Sequence, residues 1–420
     1  MKMTGKTGLA AATVAALMLG ACGNGNGSED PSEDPTSEEI TTGEDVTNGE
    51  GFGNHRDATD DERALAIRTS LDSSIEVSRA RGGDNTLISP ASLTYAQAIA
   101  GEGAQCETES EINEFLGVED DARRSVYSQL GQQVNRSGDE WVTSLSSAIA
   151  HNEEETLIKT DFVSDVAGAY GSEFMTDTVE NLQPELDAWV DEATGGLQTE
   201  LPSPVAENTA LSFVSAVRYE TRWAGGVSST SIEFTTLDGS TEDVDGYHFN
   251  ENAEGWRVDG GIVVRLPTES RDSTYLYYPD DVTDPLDLTS EDWDLDRSES
   301  IYVDLTLPAI DLESTTDILE YKEEVGLANL DDSTVGCGLA DYSESENVFI
   351  SVVVQNATFT LDDEGIAASA VTQIDAVDGA APYPAEFVEV TVDRPYALLT
   401  VSDVNGWALM YATVTNPAAS

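Results

Sequence analysis

Asp362-Asp363-Glu364-Gly365-Ile366-Ala367-Ala368-Ser369-Ala370-Val371-Thr372-Gln373-Ile374 is an acidic turn followed by a run of small, uncharged side chains. In a chain of 420 residues with 81 Asp and Glu, almost every other stretch of that length carries a carboxylate, so something requires this one to be apolar. Read with a period of two, Ile366, Ala368, Ala370, Thr372, Ile374 and Ala376 fall on one face, and Ala367, Ser369, Val371, Gln373 and Asp375 on the other. That is the alternation of a half-buried strand, without a strand's usual bulk. Small side chains enter a packed interior with little volume change, which suits a segment exposed in one state and inserted into a sheet in another.

On these residues the segment resembles the reactive-loop hinge of the serpin family. Glu364-Gly365-Ile366-Ala367-Ala368-Ser369-Ala370 is similar to the hinge, continuing through Val371 and Thr372, and Asp393-Arg394-Pro395-Tyr396 is similar to the strand after the loop. The resemblance extends outward in order. Asn85-Thr86-Leu87-Ile88-Ser89-Pro90-Ala91-Ser92 resembles the family's Asn-x-x-x-Ser-Pro-x-Ser segment, and Gly101-Glu102-Gly103-Ala104 the turn after it. Leu186-Asp187-Ala188-Trp189-Val190 with Thr194 and Gly196 resembles a helix end, Leu307-Pro308 and Gly326-Leu327 a strand and a further helix end, and Gly406-Trp407-Ala408-Leu409-Met410-Tyr411 the final strand. Each motif alone reads more readily as ordinary core or turn; their order is what carries the resemblance.

The rest of the pattern agrees with one large α+β domain over 59–418, with no internal linker and no repeat. Helix-like periodicity marks Asp60 to Arg79 and Thr176 to Ala193 in the first half. Strand-like runs, Gly261 to Leu266, Ile301 to Leu305 and Phe349 to Val354, gather in the second. The resemblance implies a large central mixed sheet, two further sheets, about eight to nine helices and an exposed loop.

Residues 1–22 read as a secretion signal: a basic start with Lys2 and Lys6, an apolar core from Leu9 to Met18 too short to span a bilayer, and Leu19-Gly20-Ala21-Cys22. This resembles a bacterial lipoprotein leader, which implies that Cys22 becomes a lipid-bearing N-terminus held at a membrane outside the cytoplasm; a plain signal with an incidental cysteine is the alternative. Residues 23–58 lack apolar periodicity and read as an acidic, self-repelling tether.

Formal net charge is −62, with Lys159 and Lys322 the lysines outside the leader. Such an excess opposes a compact fold unless salt screens it, so an exported protein of a halophile is expected; a polyanionic function is the sharper alternative. No basic patch could neutralise phosphates, which disfavours nucleic acid as a partner. Cys106 and Cys337 leave open one disulfide or two thiols. His55, His151 and His248 are isolated, no metal or cofactor is expected, and no nucleophile elbow, phosphate loop or dinucleotide fingerprint occurs, so the chain does not read as an enzyme.

What the resemblance implies is a monomeric suicide inhibitor of serine proteases, with a non-inhibitory binding or structural protein of the same fold as the alternative. Counting from Gly365 places the reactive bond at Gly379 and Ala380; counting back from Asp393 places it nearer Ala381. No Arg or Lys lies between Gly365 and Asp393, so an elastase-like or subtilisin-like target accepting Ala, Gly or Tyr383 is expected rather than a trypsin-like one. Ile366 stands where the family usually has Thr, and is the hinge residue that could slow entry. Asn85, Ser89, Ser92, Ser215 and Gln355 map to the region where the central sheet opens. The family commonly pairs an Asn with a His there; Ser215 and Gln355 hold those places and are expected to bond each other, or Ser89 and Ser92, in a compensated network insensitive to pH.

Overall fold

The computed structural model describes residues 56–419, apart from 156, 282–286, 295–298, 333–336, 345–347 and 368–385. The leader, Cys22 and most of the acidic tether lie outside these residues.

Helix α1 (Asp60–Arg81) starts because Thr59 caps it: the Thr59 hydroxyl accepts the Glu62 amide at 3.2 Å, and the Glu62 carboxylate accepts the Thr59 amide at 2.8 Å. The Arg56 guanidinium and these Thr59 bonds hold the Glu62 carboxyl down at about 2. Strand β1 (Thr86–Ile88) leads into α2 (Pro90–Gly101), where Ser89 is the cap and Pro90 takes the first helical position. All of α2 except Ala96 is buried, so it forms the spine of the helical half. Next come α3 (Cys106–Leu116), α4 (Asp120–Val134), β2 (Arg136–Ser137), β3 (Trp141–Asn152), α5 (Thr160–Tyr170), β4 (Glu173–Asp177), α6 (Val179–Thr194) and β5 (Leu211–Arg222). Trp407 is fully buried between the rings of Tyr95 and Tyr127, fastening the C-terminal region to the helices.

The second half is strands: β6 (Val227–Thr235), β7 (Thr241–Phe249), β8 (Ala253–Val258), β9 (Gly261–Arg265), β10 (Ser273–Pro279), β11 (Ile301–Pro308), β12 (Ile310–Asp317), β13 (Val354–Leu361), β14 (Gly365–Ala367), β15 (Phe387–Thr391), β16 (Tyr396–Val401) and β17 (Ala408–Val414). They form two sheets. The seven-stranded one runs β12-β13-β14-β5-β3-β2 with β4 on β3; it is mixed, since β4 pairs with β3 in parallel. The other has ten strands, β1-β17-β16-β10-β9-β8-β11-β7-β6, with β15 on β11. Tyr219, Phe234, Leu305, Phe359 and Val390 fill the space between them.

Two counts differ from the sequence expectation. Six α-helices occur among the described residues, because Ile318–Tyr321 winds only as a 3-10 turn and Gly326, at φ +78°, ends the stretch in a conformation that no helix continues. The two smaller sheets are one, because β11 pairs with β8 through Ile301–Val303 and with β7 through Thr306–Pro308, bridging them. The run Phe349 to Val354 is strand only from Val354 onward. Beyond Asp317, which faces Val354, β12 turns away, and the Ile318 amide to the Val353 carbonyl is the last bond of that ladder. An extended segment without a partner strand is not a strand, whatever its composition.

Cys106 and Cys337 form a disulfide with their Cα atoms 5.5 Å apart, tying the start of α3 to a segment 231 residues on. No helix among the described residues is long and apolar enough to cross a membrane.

Candidate functional site: the hinge and the cleft below it

Strand β14 seats the start of the segment that resembles a hinge in the seven-stranded sheet. Gly365, Ile366 and Ala367 lie opposite Arg222, Thr221 and Glu220 of β5, while Ile366 and Ala367 face Leu361 and Thr360 of β13. The turn before it is built by Asp362, whose carboxylate accepts the amides of Glu364 at 2.8 Å and Gly365 at 3.1 Å. Trp223 clamps the same turn. Its indole N–H donates to the Asp362 carbonyl at 2.9 Å, and its amide to the Glu364 carbonyl at 3.3 Å. Gly365 is required by proximity: a Cβ there would lie 2.1 Å from the Thr221 carbonyl oxygen. Ile366 is fully buried among the apolar side chains between the sheets, so it is already in place rather than waiting to enter. Burial pushes the carboxyl of Glu220, level with Ala367, above the usual carboxylate range, against the pull of Arg218 at 3.2 Å.

Beneath β14 the sheet parts. From Leu211 to Tyr219, β3 is the strand that pairs with β5, and no described strand occupies its other edge. Strands β5 and β13 are both antiparallel to β14, hence parallel to each other, and they diverge around a cleft of about 430 Å³ roofed by the end of α6 and the segment 197–206. Its lining includes Leu93 and Met410, Phe213 of β5, and Leu339 and Ile350, with no charged side chain among the described residues that line it.

Two polar pairs cross the cleft floor. The Ser89 amide donates to Gln355 Oε1 at 2.7 Å, and Gln355 Nε2 donates to the Ser89 carbonyl at 3.0 Å. The Ser92 and Ser215 hydroxyls are 2.9 Å apart, and each also reaches the other residue's carbonyl, at 3.0 and 2.6 Å. Ser89 Oγ donates to the Leu409 carbonyl at 2.6 Å and accepts the Ser92 amide, so α2 carries both pairs. Gln355 is buried, and Ser215 and Gln355 each bond to α2 rather than to each other. No group in either pair titrates near neutrality.

Asn85 is elsewhere. Its side chain does not line the cleft; it holds the C-terminal segment, donating to the carbonyls of Asn416 and Ala419 and accepting the amides of Thr415 and Asn416. That corrects its assignment to the opening region. Ala368, Ser369, Ala370, Val371 and Thr372 of the hinge, and Gly379, Ala380 and Ala381 at the reactive bond, lie outside the described residues. Trp223 and Thr221, which fix the hinge turn, were not singled out in the sequence; an aromatic residue after a strand carries no signal of its role. Among the described residues no group of three His, Cys, Asp or Glu side chains is placed to hold a metal ion.

A family model described as Serpin (serine protease inhibitor) matches residues 67–417. Among curated relatives, the leukocyte elastase inhibitor of Bos taurus is 25% identical over 333 residues, spanning 74% of this chain and 88% of its own length. Among solved structures, Arabidopsis AtSerpin1 in its native stressed conformation superposes with TM-score 0.72 at 20% identity, over 86% of this chain and 100% of that one. The thermophilic serpin Tengpin in its native state gives TM-score 0.73 at 20% identity, over 87% of this chain and 97% of its own.

Proposed function

The chain belongs to the serpin family, since the family's model spans most of it, and we propose that it is an inhibitory member that traps elastase-like or subtilisin-like serine proteases. The observation that carries the reading is β14: the hinge is already in register between β5 and β13, at the head of a cleft whose two edges continue beneath it. Extending that register would bring Ala368 level with Tyr219 and Phe359, Ala370 with Val217 and Ala357, and Thr372 with Ser215 and Gln355. All of these β5 and β13 positions share the inward face with Ile366, and the incoming residues are small.

In the proposed sequence of events the protease's serine oxygen attacks the carbonyl carbon of Gly379, or of the later bond near Ala381. An ester forms, the peptide C–N bond breaks, and the proton from the hydroxyl leaves with the new amine. The freed hinge then zips downward, each backbone hydrogen bond contributing about 1 kcal/mol net, and trapping requires this to outrun hydrolysis of the ester. A neutral, small-residue pocket filler at the bond suits a protease with a small pocket.

The test is incubation with an elastase-like or subtilisin-like enzyme in molar salt, followed by a denaturing gel. A covalent complex resistant to SDS is expected; cleavage with no complex would favour a non-inhibitory binding protein of the same fold. The proposal extends to location: export, lipid on Cys22, and a monomer on an acidic tether outside the cytoplasm. For a halophile's protein carrying a net charge of −62, thermal stability should climb steeply from low to molar salt at neutral pH, where screening shortens to about 3 Å. A flat melting temperature across that range would reject the halophile reading.

A further inference from the structure

The cleft floor holds one polar group that neither the sheet nor the two serine pairs uses. Gln97 lies on α2 five residues beyond Ser92, lines the cleft, and is only 4% exposed. Its Oε1 is buried with no hydrogen-bond partner. A carboxamide presents an acceptor and two donors in one plane, and burying it unpaired is unfavourable. Leu93, Phe213, Leu339, Ile350 and Met410 line the same cleft and supply its apolar walls. In a chain of net charge −62, no charged side chain is found among the described residues lining this cleft. The volume, about 430 Å³, is that of a small-molecule pocket.

We propose that the cleft binds a small neutral amide, a primary amide or lactam on an apolar body, whose adjacent N–H and C=O pair with the Gln97 carboxamide while the body rests on the apolar walls. The site excludes ions because the cleft offers no counter-charge, and it favours amides over plain hydrocarbons because an amide brings an N–H to the unpaired Gln97 Oε1 and a hydrocarbon does not. Such a ligand would occupy the space an incoming strand needs. That consequence rests on the insertion mechanism proposed above; the binding does not.

Benzamide is the probe, with acetophenone as the control that keeps ring and carbonyl but lacks N–H. Ligand-observed NMR on the full chain in molar salt should show benzamide saturating at millimolar concentration, and acetophenone binding at least about fivefold more weakly. Gln97→Met keeps the side chain's length and removes the unpaired groups, so its melting temperature should not fall, while benzamide affinity drops about tenfold and acetophenone affinity stays within about twofold. No saturation by benzamide, equal affinity for the two probes, or equal benzamide affinity in the variant would each overturn the site. The comparison of the two probes on the unaltered chain needs no variant to fold. Trapping of a protease without benzamide is read separately: its failure tells against the inhibitory function alone, and saturating benzamide should raise the ratio of cleaved to trapped inhibitor.

Discussion

The upper and lower parts of the gap between β5 and β13 are bounded by the same two strands and differ in what lies between them. Above, Gly365, Ile366 and Ala367 complete the ladder, framed by charged Glu220, Arg222, Asp362 and Glu364. Below, β5 from Leu211 to Tyr219 has one partner instead of two, and the lining carries no charge among the described residues. An open strand edge is normally a hazard that proteins blunt with charge or cover. Here it is covered by α6 and the 197–206 segment yet left apolar, which is the environment a small-residue strand requires and a solvated acidic one could not enter. The filled part demonstrates the register; the open part shows how far it could run.

The comparison breaks most decisively with a charge in the guest strand. Ala370→Arg, or Ala368→Arg, should convert the protein from inhibitor to substrate, with covalent complex reduced at least about a hundredfold, since burying an unpaired guanidinium beneath the sheet costs several kcal/mol. Under the proposed mechanism the uncleaved loop is solvated, so native stability should stay within about 0.5 kcal/mol. A variant that still traps as well as the parent sinks the insertion mechanism.

Ile366→Ala attacks the filled part. Its side chain is fully buried, so equilibrium denaturation should show a loss of about 2 to 4 kcal/mol. A neutral result would mean that β14 adds no cohesion to the sheet.

Gln355→Leu acts at the floor of the open part. It strands the amide of Ser89, whose carbonyl keeps the Leu93 amide at 3.1 Å, at about 1 to 3 kcal/mol, and the loss should be the same at pH 5 and pH 8 because nothing in the pair ionises. A loss that varies with pH would mean the network holds a titrating group.

Glu220→Gln has the smallest expected effect, under about 1 kcal/mol. Because burial raises the Glu220 carboxyl in the folded state, its contribution is fully present below the unfolded value, near 4.5, and is lost as pH rises through the folded one. The stability of the parent relative to the variant should therefore decline as pH climbs above that range, when measured at constant high salt. A difference that grows with pH would reverse the assigned cause.

Much of this was legible from the chain alone, for a reason that differs by residue. Alternation with period two marked Ile366 for an inward face, because strand geometry is local. Helix-like periodicity marked α1 from Asp60, because a helical pattern is local too. The absence of metal spacing and catalytic loops was equally a property of sequence. Tertiary structure alone decided the rest. Phe349 to Val353 has a strand's composition and no strand's partner; Asn85 sits in a motif mapped to the sheet-opening region and ties down the C-terminal segment; Ser215 and Gln355 each chose α2 over the other; and Cys106 met Cys337 across 231 residues. Each of these depends on which distant segment arrives alongside, and a hydrogen bond or disulfide between remote residues leaves no periodicity in the chain to announce it. Local pattern specified what this segment is made of; only the fold decided that Gly365, Ile366 and Ala367 pair in the sheet between β5 and β13, with described pairing ending at Ala367.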